Sequence, residues 1–132
     1  MATVRIDQKR HALVRAVPNS FTDALANFFG SGPSDVGLAR LTHKAYCSIL
    51  EDNGVKVTVI PADDDYPDCI FVEDQAVIID GHVLLPALMA PSRRGEQQAV
   101  ADAIIEELSG HKVCKMYHPA VMDGGDLLRF GD

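Results

Sequence analysis

Residues 55–74, VKVTVIPADDDYPDCIFVED, decide how the chain is expected to fold. The first six residues alternate and are β-branched, so they predict a strand with one polar face. Residues 61–67, PADDDYP, have the composition of a loop. The apolar run at residues 69–72 predicts another strand, which would end in the acidic pair Glu73 and Asp74.

The segment before this stretch predicts a strand and a helix. Residues 11–17, HALVRAV, form the expected strand, which stops at Pro18. Ser34 or Asp35 can cap the helix that follows. Four residues at spacings of three and four predict its buried face: Leu38, Leu41, Ala45 and Ile49. Residues 53–54, Asn-Gly, end the helix.

The segment after this stretch predicts a hairpin and a second helix. Asp80 and Gly81 suit a two-residue hairpin turn. Ser92 can cap a helix that ends at Gly110. The buried stripe of this helix is predicted to be Val100, Ile104, Ile105 and Leu108. Four further strands are predicted, at residues 76–79, 82–85, 111–117 and 127–130.

The predicted order is strand, helix, strand, hairpin, helix, strand, strand, which indicates an α/β protein. The 132 residues fit one domain over residues 1–132, and a hydrophobic fraction of 47% can supply its core. No stretch rich in Gly, Ser or Pro suggests a linker.

The formal net charge of -7 argues against nucleic acid and against an anionic membrane surface as partners. No apolar run is long enough for a membrane span, and no signal-peptide pattern appears at the start. Three cysteines without CxxC spacing favour a reducing cytoplasm. No metal-ligand spacing is present, so neither a metal nor another cofactor is expected. An acidic balance permits a cationic ligand, or it is simply a solvated acidic surface.

Asp68, Glu73 and Asp74 form the densest group of acids, in residues 67–74, PDCIFVED. Carboxylates at a strand end can hold a cation, and a guanidinium matches best because its planar fork bonds two carboxylate oxygens. The alternative is a solvated acidic loop that continues the run at residues 63–65.

Arg93 and Arg94 lie in residues 90–96, APSRRGE, in what is predicted to be the first turn of a helix. Arg93 and the helix N–H groups could hold an anion together. The alternative is a surface pair with salt bridges to Glu96 or Asp102.

Asp123 precedes two glycines in residues 122–126, MDGGD, a pattern that suits a tight turn close to a ligand. Such an aspartate could orient a guanidinium or a histidine, although an ordinary turn has the same composition. Residues 15–25 predict a strand followed by a loop that could fold over a site.

Together these four segments resemble, in order and spacing, the dimethylarginine dimethylaminohydrolase family. The stretches PDxxFVED and PSRRxE carry most of the specificity. The resemblance covers nearly the whole chain but only about the first half of a family member. It implies the pentein fold, an α/β propeller of five ββαβ modules, of which this chain would form about half. Arginine deiminases and amidinotransferases share that fold and are weaker relatives.

The resemblance also implies an activity, the hydrolysis of N-methylated arginine to citrulline and a methylamine through a covalent Cys adduct. By position in the motifs, Leu25 resembles the lid residue near the substrate amino group, and Asp68 another contact to the amino-acid end. Glu73 and Asp74 resemble the carboxylates that face the guanidinium. Arg93 resembles the partner of the substrate carboxylate, and Asp123 the acid of the catalytic triad.

The family's catalytic His and Cys have no counterpart in this chain by motif. Cys69 is expected to be a core thiol, and His82 and His118 are bases by residue type only. We therefore expect the substrate-binding half of such a hydrolase, inactive alone and completed by a C-terminal half or by homo-oligomerisation. A noncatalytic module for arginine-like ligands and an inactive structural remnant are the alternatives.

Overall fold

The computed structural model describes residues 10–25, 35–107 and 110–130. The described residues confirm an α/β protein. Its strands and α-helices, in chain order, are β1 (His11–Arg15), α1 (Val36–Asp52), β2 (Lys56–Ile60), α2 (Val72–Gln75), β3 (Val77–Ile79), β4 (His82–Leu85), α3 (Gln97–Glu107) and β5 (Lys112–Lys115). Short 3-10 turns lie at Asn19–Asp23, Pro91–Arg93 and Gly124–Asp126.

The strands form two sheets, each built around a parallel pair whose strands are joined through a helix. β1 pairs with β2 across α1, and β4 pairs with β5 across α3. β3 adds antiparallel to the other edge of β4, through the predicted hairpin turn at Asp80 (φ 47°) and Gly81 (φ 78°). Within the described ranges, no strand pairs with the other edge of β1, and neither sheet closes on itself.

The core lies between the two sheets and α3. Its six buried residues are Ile60, Val83, Leu85, Val100, Ala101 and Ile104. The predicted burial of Val100 and Ile104 on α3 is confirmed, whereas Ile105 is 64% exposed and that part of the prediction is wrong. Leu108 lies outside the described residues.

Helix α1 begins as predicted but buries a different face. The Asp35 carboxylate accepts the N–H of Leu38 at 2.9 Å and caps the helix, while Ser34 lies outside the described residues. The predicted core face is wrong, because all four of its members are exposed: Leu38, Leu41, Ala45 and Ile49. The half-buried positions include His43, Cys47 and Leu50 instead. Helical periodicity identified an apolar stripe, but no described element covers it.

The predicted strand at residues 69–72 is also wrong. This segment forms successive turns. The Cys69 N–H donates to the Tyr66 carbonyl, and the Phe71 N–H donates to the Asp68 carbonyl. The buried Gln75 side chain then donates to the carbonyl oxygens of Cys69 and Phe71, at 3.0 and 3.3 Å. Residues 72–75 therefore form the single-turn helix α2, and the acidic pair lies on a helix rather than at a strand end.

The predicted last strand at residues 127–130 is not formed. Leu128 and Phe130 are 88% and 97% exposed. An apolar composition favours a strand only where a neighbouring strand supplies backbone partners, and none does so among the described residues. No helix in the described ranges is long and apolar enough to cross a membrane.

Candidate functional site

The two acidic motifs of the sequence meet in space. Helix α2 packs on the turn at Gly124–Asp126, which follows Asp123. A Cβ atom added to Gly124 would lie 1.9 Å from the carbonyl oxygen of Glu73, so only glycine fits there. The fold therefore brings the Asp123 turn against the backbone of Glu73 and Asp74.

Asp123 is half-buried and is held at the start of its turn. Its N–H donates to Oδ2 of Asp126 at 3.1 Å, and the Asp126 N–H donates back to the Asp123 carbonyl at 3.0 Å. The Oδ1 atom of Asp123 is buried and has no hydrogen-bond partner among the described residues. A buried carboxylate oxygen without a donor carries a desolvation cost, which an incoming N–H group would offset.

Arg93 links the acidic pair to the start of α3. Its Nη1 donates to Oδ2 of Asp74 at 2.8 Å, and its Nε donates to Oε1 of Glu96 at 2.9 Å. The guanidinium carbon lies 6.0 Å from the centre of the Phe71 ring, within the range of a cation–π contact. Burial lowers the pKa of Arg93, but the hydrogen bonds to Asp74 and Glu96 outweigh it, so the net shift is upward.

The structure thus differs from the surface arginine pair considered from sequence. Arg93 is buried and lies in the 3-10 turn before α3, whereas Arg94 is exposed. The alternative partner Glu96 is confirmed, but the ion pair is in the interior, and Asp102 instead accepts from Gln98 at 2.8 Å.

Asp68 and Leu25 are joined directly. The buried Asp68 accepts the backbone N–H of Leu25 at 3.0 Å through Oδ1, while 48% of Leu25 remains exposed. Phe21, in the 3-10 turn before Leu25, lies 6.4 Å from Phe71 between ring centroids. The segment after β1 is therefore held against the turn that leads into α2, the helix that carries the acidic pair.

Two charged residues that sequence reasoning did not assign to the site complete this network. Arg15 is only 2% exposed, and its Nη1 donates to the backbone carbonyl of Glu96 at 2.7 Å. Its Nε donates to the carbonyl of Pro61 at 3.0 Å. A charged residue inside the apolar run HALVRAV was the available signal for Arg15, because buried charges require partners. For Glu96, the signal was its i,i+3 spacing from Arg93.

The cysteines do not form an evident nucleophilic site among the described residues. Cys69 is fully buried, and burial raises the pKa of its thiol, which matches the predicted core role. Cys47 lies 3.8 Å from Nδ1 of His43, and burial raises the pKa of this thiol too. A thiol with a raised pKa is less often the reactive thiolate. Cys114 is exposed on β5.

A cleft of about 570 Å³ lies beside the acidic pair. Its walls are β1, α1, α3 and the segment around α2, and Phe71 and Glu73 both line it. Most of the lining side chains are apolar, which is typical of small-molecule sites. No group of three His, Cys, Asp or Glu side chains suited to a metal occurs within the described residues.

Fold and site together define a class: an α/β protein of two parallel strand–helix–strand units with a buried arginine–carboxylate network. The N-terminal domain of ArgZ, a cyanobacterial arginine dihydrolase, superimposes with a TM-score of 0.76 at 17% identity and covers 90% of this chain. At that identity the likeness concerns the fold alone.

The family model for eukaryotic N,N dimethylarginine dimethylhydrolase matches residues 34–125, and the chain belongs to this family. The dimethylarginine dimethylaminohydrolase of Streptomyces coelicolor is 32% identical over 123 residues, and that of Pseudomonas aeruginosa 29% over 123 residues. Each match covers 93% of this chain, which spans about half of each relative, 47% and 48% respectively.

Solved structures agree. The dimethylarginine dimethylaminohydrolase adduct with S-methyl-L-thiocitrulline has a TM-score of 0.85 at 27% identity, with 94% of this chain and 48% of that chain covered. A mutant of the Pseudomonas aeruginosa enzyme complexed with citrulline has a TM-score of 0.84 at 28% identity, with 92% and 47% covered.

Proposed function

We propose that this chain is the substrate-binding part of a dimethylarginine dimethylaminohydrolase-like enzyme, which hydrolyses N-methylated arginine to citrulline and a methylamine. The observation that carries the proposal is the packing of the Asp123 turn on Glu73 and Asp74. Two acidic motifs far apart in sequence are adjacent in the fold, and the Asp123 carboxylate keeps a buried oxygen without a donor.

The proposed roles follow from charge and position. The exposed Glu73 faces solvent beside the cleft and is available to a cationic guanidinium. Asp74 already binds Arg93, so it contributes to the guanidinium site as part of a pair rather than as a free carboxylate. Arg93 is the proposed partner of the substrate carboxylate, and Asp68 holds Leu25 over the amino-acid end.

Asp123 is the proposed orienting acid. Its unpartnered Oδ1 would accept an imidazole N–H, fix the tautomer of that histidine and stabilise its protonated form. The attack on the guanidinium carbon then needs a thiolate, with the histidine as acid and base. We propose that both groups come from a complementing C-terminal half, because a second copy would bring only the same residues as this chain.

The complete assembly is proposed to be a five-module α/β propeller around this site, of which the present chain contributes about half. The two parallel units joined by helices support this proposal, because they repeat one strand–helix–strand arrangement. The three free cysteines support a reducing compartment such as the cytoplasm.

Complementation tests the proposed reaction. The chain is mixed with a polypeptide covering the part of the Pseudomonas aeruginosa relative that it does not match, and citrulline formed from dimethylarginine is measured. We expect turnover from the mixture and negligible turnover from either part alone. Asp123→Asn should lower turnover by roughly 10- to 100-fold or more, because the orienting acceptor loses its charge.

Calorimetry tests the binding role without turnover. The chain should bind arginine and dimethylarginine but bind citrulline more weakly, because the neutral ureido group does not attract carboxylates. Glu73→Gln should weaken guanidine binding, while Glu106→Gln on the exposed side of α3 should not. Binding without citrulline formation in any mixture would favour the noncatalytic module. No binding of any guanidine would favour the inactive remnant.

A further inference from the structure

The buried environment of Arg93 contains an unassigned carboxylate, that of Glu96. The Glu96 side chain is 0% exposed and the Arg93 side chain 8% exposed. Oε1 of Glu96 lies 2.9 Å from Nε and 2.7 Å from Nη2 of Arg93. The contact to Nε has hydrogen-bond geometry, whereas Nη2 has no aligned acceptor and is buried.

The contacts around Arg93 determine which of its donors stay available. Asp74 takes one donor of Nη1, and Glu96 takes Nε. The guanidinium plane is therefore set by two carboxylates on different elements, α2 and the turn before α3. One N–H of Nη1 and both N–H groups of Nη2 remain. Nη2 lies 2.7 Å from Oε1 of Glu96 but makes no aligned hydrogen bond, and a buried donor without one is costly unless a ligand satisfies it.

The backbone of Glu96 is also fixed by a hydrogen bond. Arg15 donates to its backbone carbonyl at 2.7 Å, and Arg15 also lies 3.6 Å from Asp63. Arg15 lies on β1, so its hydrogen bond ties the backbone of Glu96 to that strand. An ordered carboxylate of this kind can fix a rotamer-rich arginine before a ligand arrives.

We propose that Glu96 is a positioning residue, which orients Arg93 so that the Nη2 donors that make no hydrogen bond within the chain recognise the α-carboxylate of an arginine-like ligand. This inference rests on the proposed function, because it assumes that Arg93 reads a ligand carboxylate. Glu96 acts by accepting a hydrogen bond, not by touching the ligand. The chemical feature selected is a guanidine that carries a carboxylate at its other end.

Calorimetry with two ligands tests this role in the whole chain. Arginine carries the carboxylate, and agmatine, its decarboxylated form, does not. Wild type should prefer arginine by roughly tenfold or more, as expected for hydrogen bonds to a charged group. Glu96→Met fills the same volume without an acceptor. It should bring the ratio of arginine affinity to agmatine affinity close to one, with the affinity for agmatine unchanged. Glu96→Gln retains an acceptor and should keep the preference within about threefold of wild type.

Each other result overturns the proposal. A preference that survives in Glu96→Met shows that Glu96 does not orient Arg93, and an equal loss for both ligands shows a structural role. If Glu96→Met does not fold by circular dichroism, Glu96→Asp replaces it. The shorter side chain keeps the charge but withdraws the oxygen, so a preserved preference there also overturns the role. Wild type that binds both ligands equally contradicts the inference alone, whereas wild type that binds neither contradicts the proposed function as well.

Discussion

The molecule contains two parallel strand–helix–strand units that differ in how well they are covered. In the first, β1 and β2 are joined through α1, a helix of 17 residues with no buried side chain. In the second, β4 and β5 are joined through α3, a helix of 11 residues with three buried side chains. The second unit also has β3 on the outer edge of β4, whereas β1 has no described strand on its other edge.

This difference shows that a helix can form without burying its apolar face. Both helices form because their local sequences have helical periodicity and suitable lengths, and Asp35 caps α1, whereas the predicted cap Ser92 lies in the 3-10 turn before α3. Only α3 lies over the core residues of both sheets, among them Ile60 and Val83, so only its apolar stripe is removed from water. The apolar stripe of α1 is not covered by any described element.

The largest expected effect contrasts two neighbours on α3. Ile104→Ala should lower the free energy of unfolding by about 2–5 kcal/mol, because Ile104 is 1% exposed and its removal leaves a cavity. Ile105→Ala should change it by less than about 0.5 kcal/mol, because Ile105 is 64% exposed. Urea denaturation measures both. Similar losses for the two variants would contradict the assignment of the buried face.

The next effect tests the contact between the segments that follow the two units, α2 after β2 and the turn at Gly124 after β5. Gly124→Ala should cost about 1–3 kcal/mol of unfolding free energy, because the new Cβ would lie 1.9 Å from a backbone carbonyl oxygen of Glu73. Gly125→Ala is the matched control, since its Cβ would meet only the movable Oδ1 of Asp74 at 3.3 Å. Thermal unfolding compares the two. If Gly125→Ala is the more damaging variant, the described contact between the acidic motifs is wrong.

A smaller effect tests the uncovered helix. Leu41→Gln on α1 should change the unfolding free energy of the isolated chain by no more than about 0.5 kcal/mol, because Leu41 is 68% exposed. The same urea titration as for Ile104 measures it. A loss comparable to that of Ile104→Ala would mean that the stripe is covered in solution, and sedimentation would then identify self-association as the cause.

The smallest effect concerns a link between the units. Glu107 on α3 accepts hydrogen bonds from Lys56 and Thr58 on β2, and these lower its pKa. Its contribution is therefore present above the ordinary glutamate pKa of about 4.3 and is lost as pH falls through the lower folded value. In urea titrations from pH 7 to pH 3, wild type should lose more stability than Glu107→Gln. Glu106→Gln should follow wild type, and a reversed order would contradict the link.

Local sequence patterns predicted much of the fold. The alternating residues 55–60, the hairpin at Asp80 and Gly81, and the cap at Asp35 all act over a few residues, and the structure confirms each. The segment at residues 69–72 was assigned wrongly, because its apolar composition also suits a turn. The Gln75 side chain, acting on carbonyl groups of that segment, favours the turn over the strand.

The sequence predicted which residues belong to the candidate site, but not which of them bind one another. The motifs identified Glu73, Asp74, Arg93 and Asp123 by residue type and spacing, and their roles in binding stay predictions. The sequence did not indicate that Asp74 is already bound to Arg93, or that Arg93 is buried. Both depend on where separate elements come to lie, which no short window of sequence specifies.

By itself, the sequence determined the α/β class, the approximate position of most strands and helices, and the motifs that mark the family. These follow from periodicity, turn chemistry and residue type, which act along the chain. Only the tertiary structure decided which face of α1 is exposed, that Glu96 binds both Arg93 and Arg15, and that Gly124 touches Glu73. Burial and pairing depend on contacts between distant segments, so they emerge only when the chain has folded.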